Sequence, residues 1–218
     1  MTDPASDAVF YFDFASPNAY FAHRILPGVE ARTGLKFRYV PVLLGGVFKS
    51  TGNQAPMIAF AGVPAKLAYE YKEIERFIAR HDLKAFNFNP HFPVNTLALM
   101  RGAVAAEGEG VLAPYVEAIF HFMWEEPRKL DDPEIFAVTL AEAGLPAQRL
   151  LELIGKSEVK AQLMANTQAA VDQGAFGIPS FIVEGELYFG KDRLETLEPL
   201  LTGVGVATAG PSPAPSGR

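Results

Sequence analysis

The first place in the chain where residue types and spacing allow chemistry is Ser16-Pro17-Asn18-Ala19, a serine and proline opening a helical stretch. A helix start leaves backbone N–H groups unpaired, its macrodipole favours an anion, and a serine hydroxyl adds a donor. A bound anion fits there. The helix contributes roughly 0.3–1 kcal/mol and a hydrogen bond to a charged acceptor about 1.5–3 kcal/mol. The same dipeptide is a common helix start, with Ser16 as N-cap and Pro17 at the first helical position, and the two roles are compatible. The chain has no cysteine, so no disulfide, thiolate metal site or protein thiol nucleophile can exist. His23, His81, His91 and His121 show no metal-ligand spacing, and no metal is expected.

Composition narrows the partners. The chain has 218 residues, 49% apolar and 20% charged, enough to bury a real core and far from disordered chains. A net charge of −6 argues against nucleic acid as the main partner. The start MTDPASDAVF carries acids where a signal peptide needs a basic segment, and no apolar run approaches about 18 residues. The expectation is a cytoplasmic protein with no membrane partner. Lys49, Arg101 and Arg193 read as solvated charges that could meet a substrate carboxylate. Phe48, Phe88, Phe92, Phe120, Phe122 and Trp124 read mostly as core, the remainder as walls of a slot for a flat aromatic substrate.

The elements that must position Ser16 follow from periodicity. Val9 to Phe14 is a β-branched and aromatic run, Asn18 to Thr33 is helical, Gly34 stops it, and Leu35 to Val42 alternates as a second strand ended by Gly45-Gly46. Helices are expected over Ala65 to His81, Thr96 to Ala106, Pro114 to Trp124, Pro133 to Ala143, Ala147 to Ile154 and Ser157 to Gln173. Strands return at Ser180 to Val183 and Leu187 to Phe189, around a Glu184-Gly185-Glu186 turn, and Asp192 starts a last helix. Neither end has strands enough for a stable sheet, so the two ends should share one mixed sheet. The expected organisation is 8–50 with 174–201 as a discontinuous α/β unit, 55–173 as a helical insertion, and 203–218 as a disordered Gly/Pro/Ala/Ser tail.

This layout, with Ile178-Pro179 directly before the hairpin, resembles the thioredoxin-like fold with a DsbA-type all-helical insertion. The redox pair of that fold would stand at the Ser16 turn, so disulfide exchange is chemically impossible here. FYFDFASPNAYFAHRILP (10–27), Thr51-Gly52-Asn53, NPHFPVNTLALMRG (89–102) and GAFGIPSFIVEGELYFGKDRLE (174–195), in that order, look like the 2-hydroxychromene-2-carboxylate isomerase family, which is similar to the kappa-class glutathione transferases. The resemblance covers about residues 8 to 201. It implies glutathione as cofactor, with Ser16 contacting the sulfur, Asn53 and Ile178 holding the peptide backbone, and Lys191 and Asp192 receiving the γ-glutamyl end. Family members often have a small polar residue where Lys191 stands. The fold also implies a cis bond before Pro179, leaving Ile178 free to pair with an extended thiol peptide. On residue type alone Asn53 is a turn residue, and Asp192 with Glu195 forms an Asp-x-x-Glu helix cap.

The implied reaction is cis–trans isomerisation of a hydroxychromene carboxylate or related aromatic pyruvate by reversible thiol addition, a small aromatic carboxylate being the substrate. The rivals are a kappa-like transferase that keeps the adduct, and a non-catalytic binding module. Monomer and homodimer both stay open.

Overall fold

The computed structural model describes residues 8–201; the tail expected to be disordered, 203–218, lies outside them. The chain runs β1 (Ala8–Phe12), α1 (Pro17–Thr33), β2 (Phe37–Pro41), α2 (Leu44–Thr51), α3 (Pro56–Ala59), α4 (Pro64–His81), α5 (Leu97–Gly108), α6 (Leu112–Trp124), α7 (Pro133–Glu142), α8 (Ala147–Ile154), α9 (Ser157–Asp172), β3 (Ser180–Val183), β4 (Glu186–Phe189) and α10 (Arg193–Leu201). Among the described residues no helix is long and apolar enough to cross a membrane.

The two ends of the chain do share one sheet, of order β2-β1-β3-β4, parallel between β1 and β2 and antiparallel elsewhere. β1 is central and buried along its length, so its apolar run is unbroken rather than alternating. Its Phe10 stacks on Phe181 of β3 with ring centroids 5.1 Å apart. Gly34 closes α1 at φ 75, a left-handed position a side chain would strain, and Glu184 and Gly185 turn the hairpin at φ 52 and 80.

Two expectations are corrected by tertiary contact. Gly45-Gly46 does not merely end β2; both glycines lie inside α2, where Val47 is buried and a side chain at position 46 would meet Thr167 of α9 at 3.0 Å. Packing against α9 overrides glycine's poor helix propensity. The first strand stops at Phe12, because Asp13 and Phe14 turn away to anchor other elements.

Those two residues tie the sheet to the helices. The Asp13 carboxylate is 1% exposed and accepts from Ala15 N–H at 2.9 Å, Leu44 N–H at 2.7 Å and Thr96 Oγ1–H at 2.7 Å, joining the β1–α1 turn to the starts of α2 and α5. The Phe14 carbonyl accepts from Nε1–H of the buried Trp124 on α6 at 2.9 Å. Burial pushes the Asp13 pKa up, and the three donors pull it partly back.

Two outcomes follow. Asp13's raised folded-state pKa contributes stability present below the ordinary value of 3.8 and lost as pH rises through the raised one. Glu117, held at about 2 by its His23 hydrogen bond, acts oppositely, losing its contribution as pH falls below the usual 4.5. Above Glu117's window, urea melts of wild type should show stability declining as pH rises through the raised Asp13 pKa, and Asp13→Asn should remove that decline while lowering stability throughout. An unchanged slope in the variant would contradict the assignment. Trp124→Phe should cost about 1–3 kcal/mol by urea unfolding, since it strands the buried Phe14 carbonyl.

Candidate functional site

Ser16 sits where its sequence neighbours place it, at the N-cap of α1 with extended backbone (φ −94, ψ 112) and Pro17 behind it. Its oxygen accepts from Ala19 N–H at 3.2 Å, and its backbone N–H donates to the Asp13 carbonyl at 3.1 Å. The cap reading of Ser16 is therefore correct. The hydroxyl proton is directed elsewhere, donated to the Ile178 carbonyl at 3.0 Å across 162 residues of sequence. Ser16 is 5% and Ile178 6% exposed. Asn18 N–H, in the first turn of α1, has no acceptor among the described residues.

The bond between Ile178 and Pro179 is cis, as the fold resemblance implied. The Pro179 carbonyl accepts from Gly190 N–H at 2.9 Å, which brings Lys191 and Asp192 beside the proline. The Ile178 N–H makes no hydrogen bond among the described residues. Asn53 follows Gly52, the left-handed end of α2, and its Nδ2 donates to the Phe176 carbonyl at 2.7 Å. All six expected residues thus join in one cluster: Ser16 to Ile178, Pro179 to the 190–192 loop, and Asn53 to the 176–178 loop.

The Asp-x-x-Glu cap expected at α10 does not form. Asp192 takes the Lys191 ammonium at 3.2 Å, and Glu195 pairs with Arg80 and His81 at the end of α4. The Lys191 side chain is 8% exposed and its Nζ lies 4.9 Å from the centre of the Phe77 ring, the buried residue of α4. Charge and ring hold it from two sides. Asp192 remains 53% exposed, open to a second cation.

Sequence reasoning missed Asp13, Thr96 and Phe176, two residues before Ile178. An acid inside the run VFYFDF was the one available signal, since a buried carboxylate in a strand needs partners. Among the aromatic candidates, Phe120 and Trp124 are core. Phe122 is covered by the Arg128 guanidinium at 3.8 Å, and Phe88 is 41% exposed. A depression of about 240 Å³ bounded by Ile25, Gly28, Val29, His81 and Leu83 is lined by charges that pair with one another, as Arg32 does with Glu198, and it has no contact with the Ser16 turn. The Ser16 turn, where the Ser16 hydroxyl meets the Ile178 carbonyl and the N–H groups of Asn18 and Ile178 make no hydrogen bond among the described residues, is the candidate site.

Comparison with known proteins bears on the fold. Residues 8–202 match the DSBA-like thioredoxin domain. The chain is 31% identical to "Glutathione S-transferase kappa 1" of Rattus norvegicus over 204 residues, covering 88% of each chain. It is 28% identical to "2-hydroxychromene-2-carboxylate isomerase" of Sphingobium xenophagum over 195 residues, covering 88% of this chain and 96% of that one. A solved structure of 2-hydroxychromene-2-carboxylate isomerase superposes with a TM-score of 0.77 at 25% identity, over 90% of this chain and 95% of the other. Sheet order, inserted helices, cis proline and a match along nearly the whole described chain make this protein a member of the DsbA-like thioredoxin family, with kappa-class glutathione transferases and 2-hydroxychromene-2-carboxylate isomerases among its relatives.

Proposed function

We propose that the chain holds glutathione at the start of α1 and catalyses cis–trans isomerisation of a hydroxychromene carboxylate or a related aromatic pyruvate. The observation that carries this reading is the Ser16 hydroxyl lying on the Ile178 carbonyl, with the Asn18 and Ile178 N–H groups unpaired among the described residues, in a family member without cysteine. Glutathione, when bound, supplies the nucleophilic thiolate whose reversible addition to a conjugated carbon turns a double bond into a rotatable single bond.

The chain's own residues have defined tasks. Ser16 turns its proton from the Ile178 carbonyl to the sulfur, replacing a neutral acceptor by a charged one, a gain of about 1 kcal/mol. Its oxygen keeps the Ala19 N–H, so the cap survives the change. Turning also releases the Ile178 carbonyl, and with its N–H both backbone groups become available to an extended peptide. Lys191 and Asp192 present adjacent opposite charges, complementary to the carboxylate and ammonium of a γ-glutamyl head. Asn53 acts through the Phe176 carbonyl, fixing the loop that carries Ile178. A reducing compartment such as the cytoplasm is where such a thiol persists.

A kappa-like transferase is the second reading, favoured by the 31% identity to the rat enzyme. The product decides between them, because isomerisation returns free glutathione and transfer leaves it attached. Glutathione at a hundred times its dissociation constant should stabilise the fold by about 2.7 kcal/mol, and a melting curve unmoved by millimolar glutathione would remove both enzymatic readings. Ser16→Ala should lose about 0.5–2 kcal/mol with the cap and raise the bound thiol pKa by about one unit, while Ser16→Thr should preserve both. Thiolate absorbance against pH measures the second quantity. Equal pKa values in wild type and Ser16→Ala would make Ser16 a cap alone.

A further inference from the structure

Phe176 and Phe189 are each 41% exposed, and their ring centroids are 4.5 Å apart. On the central strands β1 and β3, Phe10, Phe12 and Phe181 are fully buried. The exposed pair is held rigidly. The Phe176 carbonyl takes the Asn53 amide at 2.7 Å, and Phe189 is the β4 residue paired with Ser180. A side chain at position 177 would stand 2.7 Å from Cε2 of Phe189, so only glycine lets that ring lie on the 176–178 loop. Rings fixed in this way present an aromatic face to solvent without a large entropy loss on binding.

Strand register fixes their location. Tyr11 of β1 pairs with Ser180, and Ser180 pairs with Phe189, so Phe189 lies two strands, roughly 10 Å, from the end of β1 that leads into the Ser16 turn. Phe176 is two residues from Ile178, the acceptor of the Ser16 proton. We infer that Phe176 and Phe189 form a stacking platform for the flat conjugated ring of the organic substrate, beside the thiol position. This inference rests on the reading under Proposed function and supplies the half of the site that glutathione does not fill. Two rings are far smaller than the roughly 800 Å² per partner of a stable protein interface, which favours a small aromatic acid as occupant. Offset or edge-to-face packing of a ligand ring on such a pair is worth about a three- to tenfold change in affinity.

The test titrates 2-naphthoate and, separately, glutathione into wild type, Phe176→Leu, Phe189→Leu, Phe189→Tyr and Phe88→Leu by calorimetry, with thermal melts confirming that each variant folds. Both leucine variants at 176 and 189 should bind naphthoate about three- to tenfold more weakly. Phe189→Tyr should restore wild-type affinity, Phe88→Leu should leave it intact, and glutathione affinity should hold within about twofold throughout. Naphthoate that binds both leucine variants as tightly as wild type, that depends on Phe88 instead, or that does not bind wild type at millimolar concentration overturns the platform. If glutathione fails to bind while naphthoate binding still depends on Phe189, the thiol reading falls and the platform stands. If glutathione binds while naphthoate binding is indifferent to both rings, the platform falls and the thiol reading stands.

Discussion

The Asp13 carboxyl lies where the end of the central strand, the start of α2 and the start of α5 meet, and it accepts a hydrogen bond from each segment. The carboxyl itself is 1% exposed, so it has no water to replace a lost partner. Leaving any one unpaired costs about 1–3 kcal/mol, a large share of a marginal total. The Ser16 turn inherits its position from this arrangement, because the Asp13 carbonyl takes the Ser16 N–H while the side chain fixes the helices around it. Trp124 repeats the device one residue later at the Phe14 carbonyl, so two consecutive residues fasten the turn to the inserted helices.

With the turn fixed, the decisive interaction for chemistry is a competition. The Ser16 hydroxyl has one proton, and the Ile178 carbonyl holds it at 3.0 Å. A ligand anion takes it only by being the better acceptor, which a thiolate is and a neutral thiol is not. Under the proposed function, the arrangement would favour the ionised form of a bound thiol and couple ionisation to release of the Ile178 carbonyl for pairing with the ligand. Serine is well matched to this exchange because its oxygen keeps capping α1 through Ala19 while the proton moves.

Around this rigid centre the packing is uneven. α4 is 18 residues long yet buries only Phe77, and its C-terminal end is held by the Arg80 and His81 pairs to Glu195. Phe77 also packs against Phe21 of α1 and under the Lys191 ammonium. Lys191 thus links the loop beside the cis proline to the one buried residue of α4, and charge at that loop and the placement of α4 depend on one another. A small polar residue at position 191 would supply neither the cation for Phe77 nor the partner for Asp192.

Local chemistry in the sequence determined a good deal. Gly34, Gly144 and Gly174 mark helix ends at positive φ, Ser16-Pro17 starts α1, and the 184–185 turn sets the hairpin, because these conformations follow from sterics within a few residues. The mixed sheet was legible from the distribution of strand runs, and Ser16, Asn53, Ile178, Pro179, Lys191 and Asp192 were named together through resemblance. Tertiary structure alone decided the partners. Asp13 finds Thr96 across 83 residues, Asn53 finds Phe176 across 123, and Ser16 finds Ile178 across 162. It also decided that Gly45 and Gly46 lie in a helix packed on α9, and that Asp192 serves Lys191 rather than capping α10. Periodicity and capping are written in neighbouring residues, whereas a buried polar group takes whichever donor the topology delivers, and no local pattern encodes which one arrives.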